Sequence, residues 1–489
     1  MRPARRTGLP ALVVVLLPVL APVARGDEDA LPWRDRVTLT ASDRVRGELV
    51  DWFRPPPGAT AAGAQRYAFV ANQLRLGVRV VLPHAEVFVE AQDTRLAGLP
   101  DDASLPPPIG NLGTGAVYFA NTHDREQGET FLKQGTLTLR RAGGALTLGR
   151  FEYRDGLEVV PADPTLAFVA RTRVAERLVG TFDFTHVTRS FDGVRVAWDR
   201  PAWNLTGVAT RPTMGGFEVS ANRELDVILA GVAATLRRLP FGPPLEARVF
   251  WLYYEDDRDA LKVDDRPLPV RAADHDPIVV HSIGGDAIAA VDAGPGIVDL
   301  LAWSVAQTGA WGVDHHAAWA YALEAGYQLP RVPASPWLRV GWDRSSGDGD
   351  PNDRRHGTFF QLLPTARTYA QLPFYDLMND DDVFTELLLR PHERLLLRTD
   401  WHRLRVTEGR DLWYSGGGAT NDTLFGFAGS PARGHRNLAQ VVDVSATLVL
   451  PWHATLGAYY GHAFGGAVVG ATFVGRDADY GFVEATFRY

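Results

Sequence analysis

The last ten residues constrain the fold more than any other stretch. Tyr480 to Tyr489 read YGFVEATFRY. Counted back from the terminus, Tyr489, Phe487, Ala485, Val483 and Gly481 share one face. Arg488, Thr486, Glu484, Phe482 and Tyr480 share the other. A β-strand sends successive side chains to opposite sides. This strand is therefore apolar on one side, mostly polar on the other, and ends in an aromatic residue.

The same period of two recurs upstream. Leu74, Leu76, Val78 and Val80 alternate with Gln73, Arg75, Gly77 and Arg79. Val87, Val89 and Ala91 alternate with Glu86, Phe88, Glu90 and Gln92, and Leu245, Ala247, Val249, Trp251 and Tyr253 flank Glu246 and Arg248. Leu338, Val340 and Trp342 flank Arg339 and precede Asp343; Val442, Val444, Ala446 and Leu448 flank Asp443, Ser445 and Thr447. A helix would need a period of 3.6, which these runs lack. Val227–Leu236 and Thr455–His462 read as strands without clean alternation. Asp43 falls on the apolar face of the first strand, which predicts a bulge or local phase shift there.

The joins decide between a sandwich and a barrel. Tight Pro- or Gly-bearing joins stand at Leu82–His84, Ala142–Gly144, Asp199–Pro201, Pro240–Pro244, Ala293–Gly296, Leu329–Pro336, Pro391–Glu393 and Leu450–Trp452. Between them lie mostly long polar stretches: Arg54–Arg66, Arg95–Thr130, Asp155–Thr188, Glu255–Asp276, Arg344–Asp382 and Thr407–Asn437. Gly309–Val313 and Met214–Asn222 are shorter. Short turns on one side and long loops on the other are the pattern of an outer-membrane barrel. The reading is all-β: a transmembrane antiparallel β-barrel of about 18 strands, with both termini in the periplasm. Its 489 residues then suit one domain, because a barrel's length follows its strand number.

Composition agrees. Beyond the N-terminus no run of apolar residues is long enough for a transmembrane helix; Ala287–Ala306, the nearest, contains Asp292 and Asp299. The net charge of −8 excludes a general nucleic-acid binder. With no cysteine, disulfides, thiol catalysis and Cys-based metal sites are excluded. Arg2, Arg5 and Arg6, the apolar Leu9–Val23 and the small Ala24 and Gly26 read as an export signal cleaved after Gly26. This divides the chain into a signal at 1–26 and one barrel domain at 27–489.

Aromatic residues near strand ends (Trp33, Trp52, Phe53, Trp198, Trp203, Trp337, Trp342, Trp401, Trp452, Tyr459 and Tyr460) are expected to form girdles at the membrane interfaces. The polar face carries arginine, for only Lys133 and Lys262 are lysines. A guanidinium facing lipid at mid-membrane costs roughly 2–4 kcal/mol, so Arg44, Arg46, Arg75, Arg79, Arg140, Arg150, Arg195, Arg248, Arg339 and Arg398 are assigned inward. Glu48, Glu90, Glu152, Asp343, Glu386, Asp400 and Glu484 are interspersed with them. Two readings stand. An excess of arginine would draw anions into the lumen. Alternatively, Arg and Glu pair across strands and only stiffen the wall.

Leu146 to Trp198 resembles the alginate export family of outer-membrane channels. The resemblance is carried by Gly149-Arg150 closing a strand, Asp155-Gly156, the arginine-rich Arg171–Arg177, and Arg189-Ser190-Phe191-Asp192-Gly193 opening the next strand. It implies an 18-stranded barrel whose narrow arginine-lined lumen passes a polyuronate or other anionic solute. It also implies that Arg150 and Arg195 line the pore and that Asp155–Thr188 folds near or into the lumen as a constriction. The final strand resembles the signal read by the barrel assembly machinery. The implied partners are therefore the solute, outer-membrane lipid and that machinery, with no cofactor.

Other motifs are weaker. Asp348–Asp353 resembles the start of a calcium loop but has Asp353 where glycine is wanted and Phe359 where a bidentate Glu is wanted. Asp380–Asp382 reads as a solvated start of a strand. His315 and His316 are adjacent, so a strand points them apart. His84, His186 and His402 could serve as bases, but no nucleophile stands at a telling spacing. A barrel-borne enzyme and a soluble all-β polysaccharide-binding protein are the competing classes.

Overall fold

The computed structural model describes residues 36–237, 244–365 and 371–489. The expected export signal, Trp33, most of the expected turn at Pro240–Pro244 and residues 366–370 of one loop lie outside these residues. The strands run β1 (Val37–Asp51), β2 (Arg66–Leu82), β3 (Ala85–Ala97), β4 (Glu126–Arg141), β5 (Gly144–Phe151), β6 (Phe191–Asp199) and β7 (Trp203–Pro212). Next come β8 (Val227–Leu236), β9 (Leu245–Asp256), β10 (Ile278–Ala293), β11 (Gly296–Trp311), β12 (Asp314–Gln328), β13 (Trp337–Ser345) and β14 (Arg355–His356). The last are β15 (Asp380–His392), β16 (Leu395–Val406), β17 (Leu412–Gly416), β18 (Phe427–Pro431), β19 (Asn437–Leu450), β20 (Ala454–Gly465) and β21 (Asp477–Arg488).

β14 lies parallel against His315 and His316 of β12, and β17 and β18 form a separate hairpin. The remaining 18 strands are antiparallel and make one wall. β1 pairs with β21 from Ser42↔Arg488 to Asp51↔Asp479, so the sheet closes. In hydrocarbon every backbone polar group must find its partner inside the protein, and closure removes the two edges that could not. The strand number, the short joins at one end and the loops at the other follow the sequence reading. β8 and β20 occupy the two stretches without clean alternation.

The wall sorts side chains by parity. In β13, Leu338 is 49 % exposed while Arg339 beside it is 0 % exposed. Each large apolar side chain given to lipid rather than water contributes roughly 1.5–3 kcal/mol. No bulge forms at Asp43. The β1–β2 register runs unbroken from Val37↔Val80 to Asp51↔Arg66, Asp43 stays outward, and Asn72 Nδ2 donates to its Oδ1 at 2.5 Å. A neighbouring amide on the same face relieves the carboxylate, so the register need not slip. The register shifts instead at Glu90/Ala91, where Lys133 is the extra residue of β4.

Trp198, Trp203, Trp342, Trp401, Trp452 and Tyr460 are exposed at the outer surface, as expected of girdles. Trp52, Phe53, Trp337 and Tyr459 are buried instead. Trp337 shares the inward parity of Arg339, and Tyr459 the inward parity of Gly461. Phe53 lies past the end of β1 and packs on Phe374 and Phe473, with ring centroids 5.4 and 5.6 Å apart. Inside the mouth, Val169, Leu178, Phe360, Leu363 and Phe427 from three loops form one apolar cluster with Leu252, Tyr254 and Trp303 of the wall.

Candidate functional site in the lumen

Residues 152–190, between β5 and β6, fold inward. Asp163 caps a short helix, Pro164–Val169, by accepting from the backbone N–H of Thr165 and Leu166 at 2.9 and 3.0 Å, with Pro at the first position. On one side the strand wall donates to the segment's carbonyls. Arg44 reaches the carbonyls of Asp183 and Thr185 at 2.9 and 2.6 Å, Arg46 that of Phe184 at 2.8 Å, and Gln73 that of His186 at 2.8 Å. Buried carbonyls away from a ladder need such donors. On the other side Arg173 and Arg177 donate to Glu324 of β12 at 2.8 and 2.9 Å. β1 and β12 stand far apart around the ring, so the segment spans the lumen, as the family resemblance implied.

The predicted inner arginines separate into groups. Arg46 pairs with Glu484 at 2.7 Å; Arg75 pairs with Glu152 at 3.0 Å and donates to Gln92 at 2.8 Å. Arg79 pairs with Glu86 at 2.6 Å. Arg248 pairs with Asp155, and with Glu158 at 2.9 Å, and so tethers the segment's start. Arg339 is enclosed by Asp299 at 2.5 Å and Glu324 at 2.9 Å, and Arg398 stands 3.0 Å from Asp400. Arg195 faces inward, 5.8 Å from the ring of Phe151.

Arg150 does not face the lumen. It pairs in register with Gly135 and Asp192, on the parity of Leu148, and its guanidinium forks onto Asp192 at 2.7 and 2.6 Å. The reason is its partners. Arg150 stands one residue from the loop end of β5, and Asp192 with the carbonyls of Leu132 and Asn222 satisfies its guanidinium outside the lumen.

Charge is divided between two walls. β21 and β1 to β4 carry Arg44, Arg46, Arg75, Arg79, Lys133 and Arg140 against Glu48, Glu86, Glu90 and Glu484, a basic excess. β11, β12, β13, β15, β16 and β19 carry Asp299, Glu324, Asp343, Asp382, Glu386, Asp400 and Asp443 against Arg339 and Arg398. Sequence reading saw the arginines and missed this division. It depends on which strands lie opposite, a property of closure rather than of any one strand. Arg173, Arg177 and Glu324, the pairs that fasten the segment, were also missed as site residues, because their partners lie about 150 residues apart. Asp380 and Asp382 are buried rather than solvated, with His402 Nδ1 2.9 Å from Asp382.

Within the segment, burial pushes His186 down to about 4, with Arg46 and Arg44 nearby adding to it and Glu48, 2.8 Å from its Nε2, opposing. Burial pushes Glu176 up to about 7 against the pull of Arg154. Asp183 is raised by burial, but Arg154, Arg75 and Lys133 hold it below the ordinary carboxylate range. Asp348 accepts from the backbone N–H of Asp350 and Gly357 at 3.0 and 2.8 Å, closing its loop. Among the described residues, no three His, Asp or Glu side chains are arranged to hold a metal. His316 meets His356 of the loop strand, with Nδ1 to Nδ1 2.9 Å.

Several solved outer-membrane porins share the fold. Pseudomonas aeruginosa OccK9 matches with a TM-score of 0.55 at 10 % identity, over 93 % of this chain and 99 % of its own. Acinetobacter baumannii OccAB1 matches with a TM-score of 0.56 at 10 % identity, over 94 % and 98 %. P. aeruginosa OpdK, solved with vanillate, matches with a TM-score of 0.53 at 8 % identity, over 92 % and 98 %. No curated protein matches by sequence. The alginate export family model matches residues 55–484. An 18-stranded barrel of porin type, matched over most of its length by that model, is an outer-membrane channel, and the chain belongs to the alginate export family.

Proposed function

We propose that the channel passes an anionic solute by passive diffusion along the basic wall. The observation that carries this reading is a descending series of arginines. Read by register toward the periplasm, Arg46 and Arg44 of β1 are followed by Arg75, level with Ser42, then Arg79, level with Thr38, then Arg140 near the β2–β3 turn. Successive guanidiniums two to four strand positions apart are roughly 7–13 Å apart in height. A solute carboxylate can pass between the more open members below the segment, while Arg44 and Arg46, engaged with the segment, add to the positive field above them. The acids that pair with these arginines keep each hold weak. The lower members, Arg79 and Arg140, have side chains 41 % and 54 % exposed, which opens the periplasmic side. The inward segment narrows the passage above them.

The family's description favours a polyuronate as the solute. A small carboxylate is the second reading, favoured by the inward segment and by the apolar cluster that fills the mouth. An export signal over residues 1–26 would bring the chain to the periplasm. Tyr489, whose backbone pairs with Ala41 at 2.8 and 3.0 Å beside the closing seam, would present the final strand to the assembly machinery. Planar-bilayer recording in a KCl gradient tests the reading. A reversal potential favouring Cl⁻, reduced in Arg44→Ala and Arg75→Ala, is expected; preference for K⁺ would overturn it.

A further inference from the structure

The acidic wall holds charge that the constriction does not use. Glu386 pairs in register with Asp400, and Asp400 with Asp443, so three inward carboxylates stand in one row on neighbouring strands. Strand spacing of about 4.8 Å sets them side by side. Arg398 lies 3.0 Å from Asp400 and 3.8 Å from Glu386, and Arg339 lies 3.7 Å from Glu386. Asp443 is different. It is 1 % exposed, its oxygens have no hydrogen-bond partner beyond the facing Asp400, and no cationic side chain among the described residues comes within ion-pair distance.

The next position in the row is Gly461, opposite Asp443. Tyr459 uses the space its missing side chain leaves: the hydroxyl lies 2.6 Å from where a Cβ on Gly461 would stand. Tyr459 is buried, 4 % exposed, and this hydroxyl has no side-chain partner. Two adjacent buried carboxylates, one without a counter-charge, are strongly unfavourable in low dielectric unless positive charge sits between them.

We propose that Asp400, Asp443 and the Tyr459 hydroxyl form a binding site for a monovalent alkali cation, Na⁺ or K⁺. An oxygen-only donor set suits a hard cation. Two carboxylates and a phenol are too few for tight chelation of a divalent ion, and among the described residues no three His, Asp or Glu side chains are placed to hold one. The lumen then carries a cation on its acidic wall, beside the Arg398–Asp400 pair.

Thermal unfolding of the purified barrel in detergent tests this without depending on conduction, so failure of the channel reading would leave it standing. At constant ionic strength and pH 7, replacing choline chloride with KCl or NaCl is expected to raise Tm. Asp443→Asn is expected to abolish the rise and, in choline, to melt no lower than the native chain. Glu393→Gln, an exposed carboxylate in a turn, is expected to keep the full response. Equal Tm in choline and alkali salts, or a full response in Asp443→Asn, overturns the site; the first result would mean that a proton balances the pair. If Asp443→Asn gives no heat-modifiable barrel, Tyr459→Phe decides. A several-fold higher K⁺ concentration for the half-maximal shift supports the site, and an unchanged one overturns it.

Discussion

Arg173 and Glu324 meet across the lumen, Nε 2.8 Å from Oε2, with both side chains wholly buried. Arg177 and Arg339 approach the same carboxylate at 2.9 Å each. Removing its charge takes a buried carboxylate from Arg173 and Arg177, while Arg339 keeps Asp299 at 2.5 Å. Breaking a buried pair in this way costs about 3–5 kcal/mol. In Glu324→Gln the inward segment is expected to detach. Larger unitary conductance in planar bilayers and new tryptic cleavage after Arg173 or Arg177 would register it; native conductance with full protease resistance would refute it.

Arg195 and Arg150 separate a lumen effect from a general loss of arginine. Arg195 points inward over Phe151, whereas Arg150 is engaged outside with Asp192. Arg195→Ala is expected to lower the Cl⁻/K⁺ permeability ratio, and Arg150→Ala to leave it unchanged. Reversal potentials of the two variants in the same salt gradient make the comparison.

Gly149 has φ +110°, and a Cβ there would stand 2.2 Å from the backbone oxygen of Gly135. Backbone cannot yield as a flexible side chain can. Strain of about 1–3 kcal/mol from the dihedral adds to the overpacking. Gly149→Ala is expected to lower the yield of the heat-modifiable form on gels and to reduce Tm, whereas Gly47→Ala, with open space around its Cβ, leaves both unchanged.

Acid should loosen the inward segment. His186 has its pKa depressed by burial from 6.5 to about 4. The unfolded form therefore binds the extra proton first, and the docked, neutral imidazole contributes fully only above pH 6.5. That contribution, on the order of 3 kcal/mol, is lost as pH falls from 6.5 toward 4. Hydrogen exchange of residues 182–188 is expected to quicken over that window, and in His186→Gln this pH dependence should disappear.

Much of the wall could be read from single strands, because parity is local. YGFVEATFRY and the Arg339 strand each state their own inside and outside, and Pro- and Gly-bearing joins mark the periplasmic ends. Partners across strands are not local. Arg150 was assigned inward because Asp192 and Asn222, which hold it outside, are invisible in LGRF alone. Trp337 and Tyr459 lie near strand ends yet face the lumen, where parity overrules position. The latch of Arg173 and Arg177 onto Glu324 joins residues about 150 positions apart, and the row of Glu386, Asp400 and Asp443 exists only once β15, β16 and β19 have paired in register.

The separation of basic and acidic walls gives the lumen a sense of up and down in cross-section. Under the proposed function, a flat, ribbon-like polymer with its acid groups along one edge would travel with that edge turned always to β1 and β2. It could not spin as it advanced. Such a conduit would sort polymers by how their charged groups wind around the backbone, rejecting a chain of the same composition whose acids spiral from one edge to the other.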